Sequence, residues 1–375
     1  MDFPTDYDEI LNKVNAINPI EYCNTRNYIN GDITYLSPYI SRGVISTKQV
    51  LQSVLAKGYT TEQTEKFIQE LAWREYFQRV WQQMGDDMFD DIRQRYTGIK
   101  HRNIPTAVTG ANTGIDSIDN AIKEFYKSGY LHNHLRMYIA SITCNIGKSY
   151  WQVPSQWMYY NLLDGDLASN TCSWQWVAGH FSSKQYYCNQ ENINKYTYSE
   201  QQNTFLDKGY DELPLMPVPE ELINTTSLRL STILPEKKIP EIDATLPLLI
   251  YNSYNLDLLW RQDIKANRIL LLEPSHFKQY PVSDKVINFI LSLSKNIPDL
   301  QIFTGEINEI PCINKFPAIY SKEHPAFNYY PGSKDERDWL FPEVKKFHTS
   351  FFSFWKKCKP YLKIIENTTK ELVRA

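Results

Sequence analysis

Leu163-Asp-Gly-Asp-Leu-Ala-Ser-Asn-Thr-Cys-Ser-Trp-Gln-Trp176 is the stretch that decides how this sequence is interpreted. It brings two carboxylates, an amide and two indoles together within one short segment. A flavin ring has a flat apolar face, a polar edge and a nitrogen whose protonation follows its redox state, so it needs aromatic walls and directional polar groups. The alternative is a helix that is capped by Asp and followed by buried tryptophans. The side chains that favour a flavin are Asp164, Asp166, Asn170, Trp174 and Trp176.

A second segment, Gly129–Met137, lies upstream and opens an apolar helical pattern that continues to Cys144. Asn133, Arg136 and Met137 follow the i, i+3, i+4 spacing, which places an amide, a guanidinium and a thioether on one helix face. Arg136 is then able to pair with a carboxylate of the Asp-Gly-Asp stretch. Taken alone, the pattern is typical of any amphipathic helix.

A third segment, Phe67–Phe77, mixes charged and aromatic side chains in the same way. Glu70, Trp73 and Arg74 lie one helical turn apart, so they share a face. A solvated, charged helix surface explains such a pattern more often than a binding site does. The order of the three segments along the chain is what makes the combination informative.

In this order the segments resemble the flavin-binding helical domain of the photolyase and cryptochrome family. The resemblance spans residues 22–214, and its His132-Asn133 pair and Asn170 are similar to the branch that repairs cyclobutane pyrimidine dimers. Members of the family normally begin with an α/β antenna domain, which this chain is expected to lack at its N-terminus. The further motifs that carry the resemblance are Tyr22-x3-Arg26-Asn27, Leu36-Ser-Pro-Tyr39, Ser46-Thr-Lys-Gln49, Glu70-Leu-Ala-Trp-Arg-Glu75 and Thr113-Gly-Ile-Asp116.

The resemblance implies that FAD is the cofactor. Arg136 would lie beside the isoalloxazine and pair with Asp164, Asp166 would lie near the pyrimidine edge of the flavin, and Asn170 would face its N5 atom. Hydroxyls and backbone N–H groups of one loop would hold the phosphates and the ribityl chain. The remaining residues implied in cofactor binding are Tyr22, Thr34, Leu36, Ser37, Phe67 and Asn133.

The resemblance also implies a light-driven lyase whose substrate is a flipped pyrimidine dimer in DNA. Trp73 and Trp176 would flank the dimer, because aromatic walls recover the stacking energy that a flipped base loses. Glu70 would contact the base edge and serve in catalysis together with Asn170. The other implied substrate contacts are Arg26, Arg74, Asn133 and Met137. The sequence predicts no metal ligands, and a second chromophore is not assigned.

Electron transfer to the flavin is expected to use tryptophans. By resemblance Trp174 and Trp151 are the inner and middle members of a chain, although plain core packing is the alternative for both. No Trp occurs between Gly85 and Trp151, where an outer member would lie. Two expectations follow: photoreduction is slow, or the chain ends on a tyrosine such as Tyr96.

Charge and composition leave a second function open. Residues 1–212 hold 19 Lys and Arg against 24 Asp and Glu, whereas DNA-binding proteins usually present a basic face. Lys100-His-Arg102 and Arg93-Gln-Arg95 are the candidate basic patches. A light sensor without repair activity, acting through a protein partner, would have a similar sequence. The six cysteines show no paired spacing and no membrane-length apolar run is present, so a cytoplasmic monomer with reduced thiols is expected.

The predicted architecture is a mainly α-helical FAD-binding domain (residues 1–213), a Pro-rich linker (214–240) and a small α/β domain with a parallel sheet (241–375). Buried strands are predicted at 246–251, 268–273, 300–303 and 317–320, and helices at 257–266 and 283–296. A last helix is predicted from Pro342 to about Tyr361, in which residues 351–354 form a core face. The C-terminal domain is interpreted as an antenna-type domain in a new position or as an independent docking module.

Overall fold

The computed structural model describes residues 2–94 and 98–374, without the side chains of residues 373 and 374. Its helices are α1 (Tyr7–Asn15), α2 (Pro19–Thr25), α3 (Ser37–Ser41), α4 (Thr47–Ala56), α5 (Glu65–Met84), α6 (Thr106–Thr109), α7 (Asp116–Ser128), α8 (Asn133–Ala140), α9 (Gln152–Asn161), α10 (Leu167–Ala178), α11 (Gln190–Thr197), α12 (Glu220–Ile223), α13 (Pro274–Gln279), α14 (Asp284–Ser294) and α15 (Phe351–Arg374). Its strands are β1 (Ile104–Pro105), β2 (Thr225–Thr226), β3 (Leu248–Tyr251), β4 (Asn267–Leu272), β5 (Leu300–Thr304), β6 (Ile319–Lys322) and β7 (Ser333–Asp335).

The chain divides into two compact units, and each is assembled from separate segments. Unit A consists of Asn24–Ile33 and Met84–Leu230, and unit B consists of Asp2–Cys23, Thr34–Gln83 and Ser231–Ala375. Unit B therefore combines segments of the predicted helical domain with the predicted α/β region. The domain boundaries at residues 213 and 240 stay a prediction.

Unit A is helical and buries one continuous apolar core between α7, α8, α9 and α10. Helix α8 runs directly into a fully buried π-helix, Ser141–Ile146, a form that is rare and often found near functional sites. The beginning of the predicted linker also belongs to this core, because Leu222 is fully buried in it, like Leu213 just before the linker. β2 then pairs antiparallel with β1.

Unit B contains a five-stranded sheet in the order β5-β4-β3-β6-β7, and every pair of neighbours is parallel. The two innermost predicted strands are buried along their whole length, as expected for a parallel sheet that is covered on both faces. The fold class is confirmed: the chain is mainly helical with a parallel α/β region near its C-terminus. The strand β7 was missed because its residues, Ser333–Asp335, are polar and carry no hydrophobic pattern.

Two predicted helices of unit B are corrected. Residues 257–266 form turns with i to i+3 hydrogen bonds, and Arg261 has a φ of +49°, which interrupts an α-helix. The last helix begins at Phe351 and not at Pro342. The backbone N–H groups of Leu340 and Phe341 donate to the Glu75 carboxylate, so the chain enters this region in an irregular conformation. The predicted helix at 283–296 is confirmed as α14.

Candidate functional site

The Asp-Gly-Asp turn of unit A is built by local hydrogen bonds. Asp166 is the N-cap of α10, and its Oδ1 accepts from the Ser169 N–H at 2.7 Å. Gly165 packs against the preceding backbone, because a Cβ atom there would lie 3.0 Å from the Leu162 carbonyl oxygen. Asp164 is 4% exposed. The turn therefore fixes both carboxylates, one as a helix cap and the other pointing into the protein.

The predicted pair between Arg136 and Asp164 is present. Nη2 of Arg136 lies 3.0 and 2.8 Å from the two carboxylate oxygens of Asp164, and Nε of Arg136 donates to the Leu131 carbonyl at 2.7 Å. The Arg136 side chain is 23% exposed and that of Asp164 only 3%. The remaining guanidinium nitrogen of Arg136, Nη1, has no hydrogen-bond partner among residues 2–94 and 98–374. The buried Asp164 carboxylate thus fixes the guanidinium while Nη1 stays available to a ligand.

Asn170 follows one turn into α10. Its Nδ2 donates to the Ser155 carbonyl of α9 at 3.0 Å, and since a carbonyl can only accept, the amide orientation is determined by that contact. The Oδ1 of Asn170 has no donor among the described residues, and the residue is half-buried. Asn170 therefore offers its Oδ1 atom to a ligand as an acceptor.

Asn133 and Met137 share a face of α8, as predicted. The Asn133 amide approaches the Met137 sulfur at 4.0 Å, and Asn133 is exposed. His132 caps this helix by accepting from the His134 N–H at 3.1 Å. Burial lowers the pKa of His132 to about 4, and the pKa of His134 to about 4 as well. Both imidazoles are consequently neutral near neutral pH, and the cation on this helix is Arg136.

Four tryptophans are implied in catalysis or substrate binding, and they differ in solvent exposure. Arg26 is described with them. Trp174 and Trp151 are each 2% exposed and lie in the core of unit A. Trp176 is 37% exposed and tilts against Tyr186, with ring centroids 5.9 Å apart. Arg26 is half-buried and also belongs to unit A. The fourth tryptophan, Trp73, belongs to unit B.

The face of α5 in unit B carries Glu70, Trp73 and Arg74, and the structure covers part of it. The Trp73 indole stacks on the Phe351 ring of α15 with centroids 3.8 Å apart and planes 10° apart. Arg74 donates to the Ser41 hydroxyl at 2.7 Å. Glu70 is half-buried. One face of the tryptophan that was predicted to flank a substrate is therefore occupied by a side chain of the same protein.

The residues predicted to hold the FAD phosphates also lie in unit B. The Leu36 N–H donates to the Thr34 hydroxyl at 3.4 Å, and Ser37 begins the five-residue helix α3. Tyr22 packs edge-on against Phe67 at 5.2 Å, on α2 and α5. The structure thus brings the cofactor residues together in two groups, one in each unit.

Sequence reasoning missed two features. The first is the contact of Phe351 with Trp73, which no sequence pattern predicts. Of the core face predicted at residues 351–354, Phe351 and Phe354 are buried, while Phe352 is 69% exposed. The second is a cluster around Asp91, whose carboxylate accepts from the side chains of Tyr150 and Trp151. Tyr96 and Arg95 lie outside the described residues, so the predicted tyrosine substitute and one basic patch have no structural counterpart.

The family described as the FAD binding domain of DNA photolyase matches residues 67–223. Over these residues the chain is a distant relative of photolyases and cryptochromes. The deoxyribodipyrimidine photo-lyase of Synechococcus sp. is 30% identical over 152 residues, which are 38% of this chain and 31% of that protein. The cryptochrome DASH of Danio rerio is 29% identical over 174 residues, which are 42% of this chain and 32% of that protein.

A solved structure is also similar to part of the chain. The crystal structure of a Synechocystis sp. cryptochrome covers 52% of this chain and 44% of its own, at 22% identity and a TM-score of 0.48. The chain spans about a third of the length of the curated relatives it matches. Photolyases and a cryptochrome match at similar identity, so the comparisons show a likeness to the FAD binding domain of DNA photolyase over residues 67–223 and leave the branch open.

Two further observations concern the described part of the chain. Within residues 2–94 and 98–374 no helix is both long and apolar enough to cross a membrane. In the same residues no group of three or more His, Cys, Asp or Glu side chains has the arrangement of a metal site.

Proposed function

We propose that this chain binds FAD and uses light to split cyclobutane pyrimidine dimers in DNA. The observation that carries the proposal is the Arg136–Asp164 ion pair at the beginning of α10, within the residues that match the FAD binding domain. The pair leaves one guanidinium nitrogen for a ligand, and the same helix offers the Oδ1 acceptor of Asn170.

The donor set of unit A fits a flavin. A guanidinium whose geometry is fixed by a buried carboxylate suits the electron-rich edge of an isoalloxazine, and it favours an anionic reduced ring. When it is bound, reduced FAD supplies a light-absorbing one-electron donor. Arg136 would balance the negative charge, and Asn170 would hold a proton at the flavin N5 through its Oδ1 atom. Asp164 would keep Arg136 in place.

The substrate residues are assigned on chemical grounds. A pyrimidine dimer stacks and pairs poorly, so it costs less to flip than a normal base, and an exposed indole such as Trp176 recovers stacking energy. Glu70 would hydrogen-bond the base edge, and Arg26 would lie near a phosphate of the damaged strand. DNA that contains dimers is therefore the proposed partner.

The test is light-dependent recovery of ultraviolet absorbance from a dimer-containing oligothymidine, with protein whose bound flavin has been chemically reduced. We expect recovery in the light and none in the dark. Trp176→Ala should lose the recovery while it keeps the flavin. Tyr210→Ala is the matched control, because Tyr210 is an exposed aromatic side chain of the same unit that has no assigned role. Recovery that is unaffected by Trp176→Ala would contradict the substrate assignment.

The stacking of Phe351 on Trp73 favours a second candidate function, a flavin-dependent light sensor without repair activity. In this arrangement one face of the Trp73 indole is already covered by a side chain of the same protein. A sensor would bind FAD and respond to light, and it would not distinguish damaged from intact DNA. Bound, reduced flavin together with no absorbance recovery would decide for this candidate. A preparation that binds no FAD would overturn both.

A further inference from the structure

Tyr150 and Trp151 form an aromatic pair at the beginning of α9. Their ring centroids are 5.7 Å apart with an interplanar angle of 50°. Tyr150 is 8% exposed and Trp151 2% exposed. The Arg102 guanidinium lies 4.8 Å from the centre of the Tyr150 ring. A buried phenol is therefore held next to a buried indole.

Both side chains donate to one carboxylate. The Tyr150 hydroxyl lies 2.9 Å and the Trp151 Nε1 lies 3.0 Å from Oδ1 of Asp91. Nδ1 of His180 lies 2.9 Å from the same oxygen and 3.0 Å from the Gln94 carbonyl. Because both neighbours of Nδ1 are acceptors, Nδ1 carries the hydrogen. Oδ1 of Asp91 thus accepts from three side chains, and the Tyr150 phenol is the most acidic of these three donors.

The position of Asp91 is fixed by the segment that carries it. The buried Gln175 side chain donates to the carbonyls of Met88 and Asp90 and accepts from the Ile92 N–H at 3.0 Å. The Arg93 N–H donates to the His180 carbonyl at 2.8 Å. These contacts hold the backbone on both sides of Asp91, so the carboxylate is positioned by α10 rather than by its own loop alone.

A second tyrosine–tryptophan pair in unit A lacks this feature. Trp157 Nε1 donates to the Tyr126 hydroxyl at 2.9 Å, and that hydroxyl donates to the Thr109 carbonyl at 2.8 Å. A backbone carbonyl does not accept a proton outright at neutral pH, whereas a carboxylate does. The two pairs therefore share their aromatic partners and differ in the group that receives the phenolic hydrogen.

We infer that Tyr150 is a redox-active tyrosine that reduces an oxidised Trp151. In this step one electron moves from the Tyr150 phenol to the one-electron-oxidised indole of Trp151, and the phenolic proton moves to Asp91. The products are a neutral tyrosyl radical, a restored tryptophan and a carboxylic acid at Asp91. The oxidant that creates the hole on Trp151 is a photoexcited flavin, and in this respect the inference rests on the proposed function.

The surroundings of Tyr150 suit this role. Burial raises the pKa of Tyr150 to about 12, so the resting side chain is a phenol and keeps its proton. A phenol loses that proton when it is oxidised, and transfer to an acceptor that is already hydrogen-bonded avoids a charged intermediate. Since Tyr150 is almost buried, the radical would be sheltered from solvent.

The experiment is electron paramagnetic resonance of the illuminated, flavin-loaded protein. We expect a tyrosyl signal that is lost in Tyr150→Phe and kept in Tyr126→Phe, the matched control. In Asp91→Asn the tyrosyl signal should also be lost, with a tryptophan radical in its place, because an amide does not take the proton. A tryptophan radical in the wild type, or a tyrosyl signal unchanged in Tyr150→Phe, would overturn the inference.

A flavin-free measurement separates failure of this inference from failure of the proposed function. Azidyl radicals generated by pulse radiolysis oxidise tryptophan in the apoprotein, and transfer to tyrosine is followed as loss of the tryptophan radical absorbance. We expect a transfer phase that Tyr150→Phe removes and Tyr126→Phe retains. Failure to bind FAD would refute only the proposed function. A transfer phase that persists in Tyr150→Phe would refute the inference whatever the flavin does.

Discussion

The beginning of α10 in unit A and the face of α5 in unit B carry motifs of the same family, and the structure treats them differently. In unit A the predicted ion pair between Arg136 and Asp164 is formed, with side-chain atoms left for a ligand. In unit B the predicted substrate residue Trp73 has its indole stacked on Phe351, a residue of the last helix. The same kind of sequence signal therefore leads to a preformed ion pair in one region and to an aromatic side chain with one covered face in the other.

The difference has a physical origin. Arg136 and Asp164 attract each other directly, and the chemistry of both partners is contained in the motifs themselves. Trp73 is a large apolar surface that packs against whichever aromatic ring the fold brings to it. Which ring that is depends on α15, whose packing the motif does not encode. Polar pairs are specific, while aromatic surfaces accept several partners.

The strongest test of this contrast is Phe351→Ala, which uncovers Trp73. Removal of a buried Phe side chain leaves a cavity, so we expect the free energy of unfolding to fall by about 4 kcal/mol. Chemical denaturation measures this loss. Phe352→Ala is the control, since the adjacent Phe352 is 69% exposed and its removal should change stability little. Equal effects of the two substitutions would show that Phe351 is not packed as described.

The same variant sharpens the functional question. If Phe351 only fills space that a substrate would otherwise enter, the folded Phe351→Ala protein should bind dimer-containing DNA more tightly than the wild type. Unchanged DNA binding in a folded variant would mean that Trp73 is a core residue. Phe351→Leu keeps most of the packing volume and serves as the intermediate case.

Two kinds of feature were predicted well from the sequence, the buried strands of the sheet and one ion pair, and each for its own physical reason. The strands β3 and β4 were predicted because a short, continuous apolar run is typical of a strand in a parallel sheet. A pair between Arg136 and a carboxylate of the Asp-Gly-Asp stretch was predicted from opposite charges, and the family resemblance implied Asp164 as the partner. This ion pair is the part of the candidate site in unit A that was predicted and is present in the structure.

Other parts depend on contacts that no local pattern encodes. The segment just before the predicted start of the last helix is held by a buried carboxylate, Glu75, which accepts from the N–H groups of Leu340 and Phe341. The turns at residues 257–266 follow from one left-handed residue, Arg261. The cluster at Asp91 was not predicted because a single carboxylate in a loop gives no motif. These errors therefore come from long-range polar contacts at Glu75 and Asp91 and from the local backbone conformation of Arg261.

Glu75 provides a pH-dependent test within unit B. Its carboxylate is 3% exposed, and burial raises its pKa to about 7 from the usual 4.5, although Arg79 and the two N–H groups oppose that rise. The raised pKa means that the folded state binds the proton more tightly than the unfolded state. The stability that protonation of Glu75 contributes to the folded state is complete below pH 4.5, and it is lost as the pH rises to about 7.

We expect the wild-type protein to lose about 3 kcal/mol of unfolding free energy across that interval through Glu75. Glu75→Gln should remove this part of the pH dependence while it keeps an acceptor for the Leu340 N–H. Denaturant unfolding at several pH values measures the difference. Glu343→Gln, on an exposed side chain of the same unit, should retain the wild-type profile. Parallel profiles for Glu75→Gln and the wild type would rule out the proton uptake.

In unit A the proposed FAD site is tested by Arg136→Ala. Loss of a charge-assisted hydrogen bond to the flavin should weaken FAD binding by roughly tenfold to a hundredfold, which equilibrium titration of the apoprotein measures. Lys127→Ala is the control, because Lys127 forms an exposed ion pair with Glu124 in the same unit. An unchanged dissociation constant in a folded Arg136→Ala protein would remove the observation on which FAD binding rests.

The smallest expected effect on stability comes from removal of a helix N-cap, and both regions have one. Asp166 caps α10, and Ser46 caps α4 of unit B in a capping box with Gln49. Replacement of either cap by Ala should cost about 1 kcal/mol of stability, measured by thermal or denaturant unfolding.

Asp166→Asn keeps a capping oxygen and should cost much less. If Asp166→Asn nevertheless weakens FAD binding, the charge of Asp166 acts on the cofactor and not on the helix. Equal losses of stability for Asp166→Asn and Asp166→Ala would show that the cap is not what Asp166 contributes. Because both units begin their helices equally well, the contrast between them lies in what the side chains of the following turns contact.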